Sequence, residues 1–206
     1  MNYKLESCVT SFDQAIASAH HGASRLEICS RLETGGITPD FDMVSELCER
    51  INIPIRIMIR STPISFEASK EILDDMIGSI EQFKTLPIDG FVIGLLKNSV
   101  VDRTGMEKIF EHTFPLPTTF HKAIDESKTI FEDLEWMNHV DAIDTILTSG
   151  GAETAFQGTE RILKMKSVFK KTIMAGGKIL PQHLESLHSK LNLGWYHGRN
   201  IVSANS

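Results

Sequence analysis

Four side chains with acid–base or anion-binding chemistry follow short apolar runs in this sequence: Glu27, Arg60, His121 and Asp125. A carboxylate near histidine and arginine can perform general acid–base catalysis, because neighbouring charges and burial move pKa values towards neutrality. The guanidinium of Arg60 could also hold a carboxylate or phosphate through two parallel hydrogen bonds. These four residues are therefore candidate catalytic residues. The alternative is a structural network in which the same charges pair and fill the interior without reacting.

Two cysteines, Cys8 and Cys29, also close β-type runs and are candidate metal ligands. Cu(I) is a soft ion that prefers thiolate and thioether ligands and accepts imidazole. Further candidate ligands at strand ends are Met58, Met174, His121 and His197. No CxxC or MxxM spacing accompanies the two cysteines, so small buried core residues are the alternative interpretation. The third cysteine, Cys48, shares an apolar helix face and is predicted to be a core residue.

Glycines follow the last three predicted strands: Gly150 and Gly151, then Gly176 and Gly177, then Gly198. Backbone amides in the last loops of a barrel often bind phosphate, and glycine lets an anion approach the main chain. These five residues are therefore candidate anion-binding residues. The alternative is that glycine is needed only for tight turns, since neither a dinucleotide-binding GxGxxG motif nor a P-loop is present.

The elements that must position these residues alternate regularly between strand and helix patterns. Strands are predicted at residues 4–9, 25–29, 54–60, 90–94, 117–121, 145–148, 172–175 and 194–197. Helices are predicted at about residues 11–21, 40–51, 66–85, 103–112, 128–138, 153–169 and 181–191. This alternation predicts a single-domain α/β protein over residues 1–206, a (β/α)8 TIM barrel with short loops and a reduced last helix. An open, doubly wound sheet is the alternative topology.

In such a barrel the functional residues lie where the strands end. Side chains alternate in direction along each strand, so Glu27 shares a face with Cys29, Arg60 with Met58, and His121 with Thr119. If these faces point inward, Glu27, Arg60 and His121 are predicted to share one polar cavity.

Composition argues against several classes of function. The chain has 27 acidic and 21 basic side chains, a net charge of −6 and no dense basic run, so no nucleic-acid partner is expected. No stretch approaches the ~18 apolar residues of a membrane helix. The opening MNYKLESCVTSFDQA lacks the apolar region of a secretory signal, and three cysteines are a poor disulfide framework. Reduced thiols and a cytoplasmic location are therefore expected.

Seven segments resemble the copper homeostasis protein CutC family over about residues 4–200. In order they are RLEICSRLETGGITPD, IRIMIR, DGFVIGLL, PTTFHKAID, ILTSGG, IMAGG and HG. The resemblance implies a (β/α)8 barrel with a role in cytoplasmic copper handling, and Cu(I) as the expected ligand. Two departures border the expected site. Arg60-Ser61-Thr62-Pro63 replaces an Arg-Pro-Arg-Gly-Gly type loop, and Lys178 replaces a glycine.

Two further functions stay open beside copper homeostasis. One is an enzyme acting on a small anionic substrate, such as a phosphorylated one, at the barrel mouth. The other is a barrel that serves as an interaction scaffold. The fold does not decide between them, because this barrel hosts many unrelated chemistries. The expected partner is a small ligand or a metal ion, and a homodimer is left open.

Overall fold

Eight parallel strands form a closed barrel in the computed structural model, which describes residues 2–202. In chain order, the strands of the barrel and of one separate two-stranded hairpin are β1 (Lys4–Val9), β2 (Arg25–Ile28), β3 (Ile55–Met58), β4 (Gly90–Ile93), β5 (Leu96–Lys97), β6 (Val100–Val101), β7 (Thr118–Phe120), β8 (Ile143–Thr148), β9 (Thr172–Ala175) and β10 (Trp195–Gly198). β5 and β6 form a separate hairpin, and β10 pairs with β1 to close the barrel. The predicted (β/α)8 TIM barrel is confirmed, and the open sheet is excluded.

The helices cover the outside of the barrel. They are α1 (Phe12–His20), α2 (Phe41–Arg50), α3 (Lys70–Phe83), α4 (Arg103–Thr113), α5 (Ile130–Asn138), α6 (Thr159–Val168) and α7 (Leu184–Leu191). Four begin at a side chain that accepts a hydrogen bond from the amide three residues later, and these caps are Ser11, Asp40, Ser69 and Asp102. Among residues 2–202, no helix has both the length and the apolar character that crossing a bilayer requires.

Two helices are shorter than the sequence predicts. The segment predicted at 66–85 becomes helical only at Lys70, because Ser69 caps it and the carbonyl of Phe66 instead accepts the amide of Leu96 at 2.9 Å. The segment predicted at 153–169 becomes helical at Thr159. A Cβ on Gly158 would lie 1.8 Å from the carbonyl oxygen of Ser149, so the preceding residues follow a tight, irregular path.

The hairpin of β5 and β6 was not predicted. Its turn residues Asn98 and Ser99 have φ angles of 54° and 62°. This left-handed turn is usually marked by glycine, and the serine at its second position hides the signal.

The barrel separates two kinds of interior. The main apolar core lies between the strands and the helices, where Leu26, Ile57 and Phe91 are fully buried. Inside the barrel lies a second, smaller cluster, made of Cys8, Cys29, Met58 and Val92.

Polar side chains fill the barrel on the amino-terminal side of this small cluster. There the buried guanidinium of Arg56 donates to both carboxylate oxygens of Asp144, at 2.7 and 2.5 Å, and to Thr119 Oγ1 at 2.6 Å. These bonds satisfy the charge that burial would otherwise leave unpaired. The sulfur-containing cluster of Cys8, Cys29, Met58 and Val92 thus lies on the carboxyl-terminal side of the Arg56 network inside the barrel.

Candidate metal and ligand site

A cavity of about 590 Å³ opens at the carboxyl ends of the barrel strands, and we call it the mouth cavity. Apolar side chains form part of its wall, including Leu32, Met58, Leu147 and Ile179. The carboxyl ends of the strands are where (β/α)8 barrels build their active sites. The mouth cavity is therefore the candidate ligand site.

The two predicted metal-binding cysteines are neighbours at this position. Cys8 Sγ lies 3.4 Å from Cys29 Sγ, and the Cys8 thiol donates to Glu27 Oε1 at 3.2 Å. The pKa of Cys8 is raised well above its usual value by its hydrogen bond with Cys29, and then by burial and the charge of Glu27. The thiol of Cys8 therefore keeps its proton at neutral pH unless a cation takes the proton's place.

A glycine loop covers these sulfur atoms. Gly36 has φ of 88°, and a Cβ added to it would lie 3.5 Å from both Cys29 Sγ and the Met58 methyl carbon. These are ordinary van der Waals distances, so the left-handed backbone conformation, and not a lack of space, favours glycine where the loop packs on the sulfur atoms.

Glu27 has one carboxylate oxygen without a partner. Its side chain is buried, its Oε1 accepts from Cys8, and among residues 2–202 its Oε2 accepts no hydrogen bond. Burial raises the pKa of Glu27, and Glu6 raises it further, while His197 and Arg25 act in the opposite direction. An unsatisfied buried carboxylate oxygen is costly, so a cation or a donor group at this point would stabilise it.

His197 joins the site from the last strand. Its Nδ1 lies 2.9 Å from Glu6 Oε1 and 3.9 Å from Glu27 Oε2. Although burial lowers the pKa of His197, Glu27 and Glu6 together raise it above its usual value. The pKa of Glu6 falls to about 2, because Arg25 and His197 outweigh the effect of burial. Neither Glu6 nor His197 is among the four catalytic candidates from the sequence, but barrel closure, which sets β10 beside β1, points to them.

His121 lies in the wall of the same cavity as Glu27. Its Nδ1 accepts the amide of Ala123 at 3.2 Å, and its ring packs against Phe66 with centroids 5.0 Å apart. Burial, followed by the nearby charge of Arg60, lowers the pKa of His121 to about 3. Its imidazole is therefore neutral at physiological pH. Among the described residues, its Nε2 is buried and has no partner.

Arg60 does not share the mouth cavity, and the prediction that it would was wrong. Its guanidinium donates to the carbonyl oxygens of Thr34, Gly36 and Pro63 at 3.3, 3.2 and 3.0 Å. The physical reason is that β3 ends at Met58, so alternation along the strand no longer controls the direction of Arg60. Arg60 instead ties together two loops beside the mouth.

Asp125 also lies apart from Glu27 and His121. Its carboxylate accepts from the hydroxyl of Thr148, from the amide and hydroxyl of Ser149 at 2.8 and 3.0 Å, and from the amide of Gly151 at 2.9 Å. Asp125 and Arg60 line a second cavity of about 660 Å³. The four catalytic candidates are thus divided between two cavities.

The glycine candidates are divided in the same way. Gly177 and Gly198 line the mouth cavity, whereas Gly151 lines the second one. A Cβ on Gly150 would lie 2.4 Å from the carbonyl oxygen of Gly158, and one on Gly176 would lie 2.6 Å from Leu147 Cδ1. Close packing therefore accounts for Gly150 and Gly176 without a ligand.

Cations stand on the rim of the mouth cavity, contributed by Lys122, Lys178 and Arg199. Lys178, which occupies the place of the expected glycine, adopts a left-handed φ of 52° and forms an ion pair with Glu153. A non-glycine residue in this conformation costs about 1 kcal/mol.

Comparison with known proteins identifies the family. The profile of the CutC family matches residues 3–201. The chain is 34% identical to the copper homeostasis protein cutC homolog of Caenorhabditis elegans, over 97% of this chain and 81% of that protein. It is 31% identical to the homolog of Dictyostelium discoideum, over 94% of this chain and 80% of that protein.

Solved structures agree on the fold. The CutC protein of Streptococcus agalactiae superposes with a TM-score of 0.91 at 22% identity, covering 97% of this chain and 100% of that one. The tryptophan synthase α-subunit of Pyrococcus furiosus superposes with a TM-score of 0.67 at 14% identity, covering 94% and 86%, a likeness of fold alone. With the family profile spanning nearly all of its length, this chain belongs to the CutC family.

Proposed function

We propose that this chain is a cytoplasmic copper homeostasis protein, a single barrel domain that binds Cu(I) as its cargo through Cys8 and Cys29. The observation that carries this proposal is the separation of 3.4 Å between the two sulfur atoms. If the sulfur atom of each thiolate lies ~2.3 Å from one shared ion, the two sulfur atoms can be 3.4 Å apart or somewhat further. Binding of the ion would therefore need only small movements of the two side chains.

The chemistry of the donor atoms fits a soft monovalent ion. Cys8 and Cys29 supply thiolates, and Met58 belongs to the same buried cluster. Because Cys8 keeps its proton at neutral pH, binding of Cu(I) would displace that proton and leave the Cys8 thiolate bound to the ion beside Glu27.

Titration of the reduced protein with Cu(I) in the presence of a competing chromophoric chelator tests the proposal. Wild type should compete for about one equivalent of Cu(I), and Cys8→Ser and Cys29→Ser should each weaken this competition strongly. Cys48→Ser is the matched control, since Cys48 packs on the outer core and should leave the affinity unchanged. Equal competition by wild type and the Cys8/Cys29 double variant would reject the Cu(I) proposal.

A second candidate function is an enzyme acting on a small anionic substrate in the mouth cavity. It is favoured by the rim cations Lys122 and Arg199, which form no salt bridge with any described residue, and by Gly177 and Gly198 beside them. In this proposal the rim would hold the anionic group, and Glu27 would act as the base. His121 is neutral and accepts at Nδ1, so it would donate a hydrogen bond through its Nε2–H group.

Binding of inorganic phosphate and simple phosphate esters, followed by NMR shifts of the backbone amides, tests this second function. Shifts confined to residues 176–179 and 198–200 would support it. Shifts centred on Gly150 and Gly151 would place the anion at the second cavity instead, and no saturable shift would remove the anionic substrate.

A further inference from the structure

Three different donor types converge below the mouth cavity. One ligand atom each from Cys8, Glu27 and His197 lies within 4.8 Å of the other two. Cys8 and Glu27 are buried, and the side chain of His197 is 12% exposed. They come from three adjacent strands, because β1 lies between β2 and β10. Cys8 stands opposite Glu27 in the register of β1 and β2. The strand pairing itself therefore holds the three groups together.

The unpartnered oxygen of Glu27 marks the centre of this group. Glu27 is 2% exposed, and its Oε2 has no hydrogen bond among residues 2–202. The nearest histidine nitrogen, His197 Nδ1, lies 3.9 Å away, beyond a normal hydrogen bond. A cation placed among the carboxylate, the thiol and the imidazole would satisfy this oxygen.

We propose that Cys8, Glu27 and His197 form a binding site for a divalent cation of the zinc class, distinct from the Cu(I) site although it shares Cys8. One thiolate, one carboxylate oxygen and one imidazole nitrogen are all common zinc ligands, whereas a carboxylate is a poor ligand for Cu(I). The charges agree, since one thiolate and one carboxylate neutralise a divalent cation. This site goes beyond the Cu(I) proposal and does not depend on Cys29.

A second layer of contacts supports the imidazole. Glu6 Oε1 lies 2.9 Å from His197 Nδ1, and Glu6 is held in turn by the guanidinium of Arg25. Because Nδ1 is engaged by Glu6, the metal would be held through Nε2 of His197. Carboxylates that hydrogen-bond the other nitrogen of a metal-binding histidine fix its ring orientation and strengthen it as a ligand. Glu6 is fully buried, and each of its two carboxylate oxygens has a partner, Arg25 on one and His197 on the other.

The remaining coordination position would face the mouth cavity, because Cys8, Glu27 and His197 all contribute to its wall. Three protein ligands and one open position are typical of catalytic zinc, whereas structural zinc has four protein ligands. A water at the open position would lose a proton more easily than bulk water does. The site would therefore suit metal-assisted hydrolysis of a small molecule held in the cavity.

Titration of the reduced, metal-free full chain with Co²⁺ tests the site, because Co²⁺ reports thiolate ligation through its absorption spectrum. Wild type should develop a sulfur-to-Co²⁺ charge-transfer band together with intense d–d bands, and Zn²⁺ should abolish both. Glu27→Gln and His197→Asn should each weaken Co²⁺ binding at least about tenfold. Cys29→Ser should retain the Co²⁺ spectrum while losing Cu(I) competition, and Cys48→Ser should change neither.

The two titrations test the two sites separately. A failure to bind Cu(I) would not contradict a Co²⁺ site, and a failure to bind Co²⁺ would not contradict a Cu(I) site. Circular dichroism and thermal midpoints verify that each variant is folded. If His197→Asn does not fold, Glu27→Gln decides the question, because its amide preserves the shape of the side chain and an oxygen for the Cys8 thiol. Absence of the charge-transfer band in wild type, or unchanged Co²⁺ affinity in Glu27→Gln, would overturn the proposal.

Discussion

His197 Nδ1 lies 2.9 Å from Glu6 Oε1, although the two residues are 191 positions apart in the sequence. This contact joins the last strand of the barrel to the first, directly beneath Cys8 and Glu27. Because Arg25 also binds Glu6, the buried carboxylate of Glu6 is held between a guanidinium and an imidazole. Arg25, Glu6 and His197 therefore form a structural network that also supports the candidate site.

The first prediction concerns the pH dependence of Cu(I) binding. Since the pKa of Cys8 is raised, its proton must leave when Cu(I) binds, so affinity should increase with pH between about pH 6 and 8. Each released proton contributes about a tenfold gain per pH unit. Chelator competition at several pH values measures the slope, and a flat profile would show that no bound proton is displaced.

The second prediction concerns acid stability. The pKa of Glu6 is lowered from 4.5 to about 2 in the folded protein, so its stabilising effect is complete above pH 4.5 and is lost as the pH falls towards 2. Glu6→Gln should lower the free energy of unfolding by about 3–5 kcal/mol at neutral pH, because it leaves Arg25 without its buried partner.

Urea unfolding of wild type and Glu6→Gln across this acid range provides the measurement. The decline between pH 4.5 and 2 should be shallower in the variant. Glu49→Gln, which changes an exposed carboxylate on α2, is the matched control and should behave as wild type. Identical pH profiles for Glu6→Gln and wild type would contradict the assignment.

The third prediction concerns the charge of His121. With a pKa of about 3, its imidazole should remain neutral throughout the range from pH 5 to 8. Nitrogen-15 NMR of the histidine rings should show constant shifts for His121 across this range. A titration of His121 near pH 6.5, the usual value for histidine, would show that the ring is more accessible than its burial indicates.

The fourth prediction concerns Arg60. Removing its three carbonyl contacts in Arg60→Ala should lower the free energy of unfolding by about 1–3 kcal/mol and speed hydrogen exchange in residues 32–38 and 61–66. Arg50→Ala, an exposed arginine on α2, is the control and should cost less than about 1 kcal/mol. Unchanged exchange in both loops would remove Arg60 from its role as their link.

The sequence predicts the barrel well because each unit carries its own local signal. Strand and helix patterns alternate along the chain, and adjacent positions in that order become neighbours in space. The closeness of Cys8 and Cys29 follows directly, since the first two strands pair side by side. The same reasoning places Glu27 and His121 at the mouth.

The remaining features depend on residues outside the strands or on closure of the barrel. Arg60 lies in a loop and Asp125 in a short 3-10 helix at Lys122–Glu126. Strand alternation does not set the direction of either side chain, and hydrogen bonds to backbone groups decide it. The pairing of Glu6 with His197 depends on closure of the barrel, which no local pattern records. The sequence therefore predicts which strands approach one another more reliably than which loop side chains meet.

Closure of the barrel by β10 has a consequence for synthesis of the protein. Ribosomes add about 5–20 residues per second, so Cys8, Cys29 and Glu27 leave the exit tunnel many seconds before His197 is even translated. During that interval the nascent chain offers thiols and a carboxylate with neither the histidine nor the last strand to enclose them. We therefore expect the protein to bind metal ions selectively only after its release from the ribosome. During translation, copper or zinc would meet exposed thiols that do not distinguish well between the two ions.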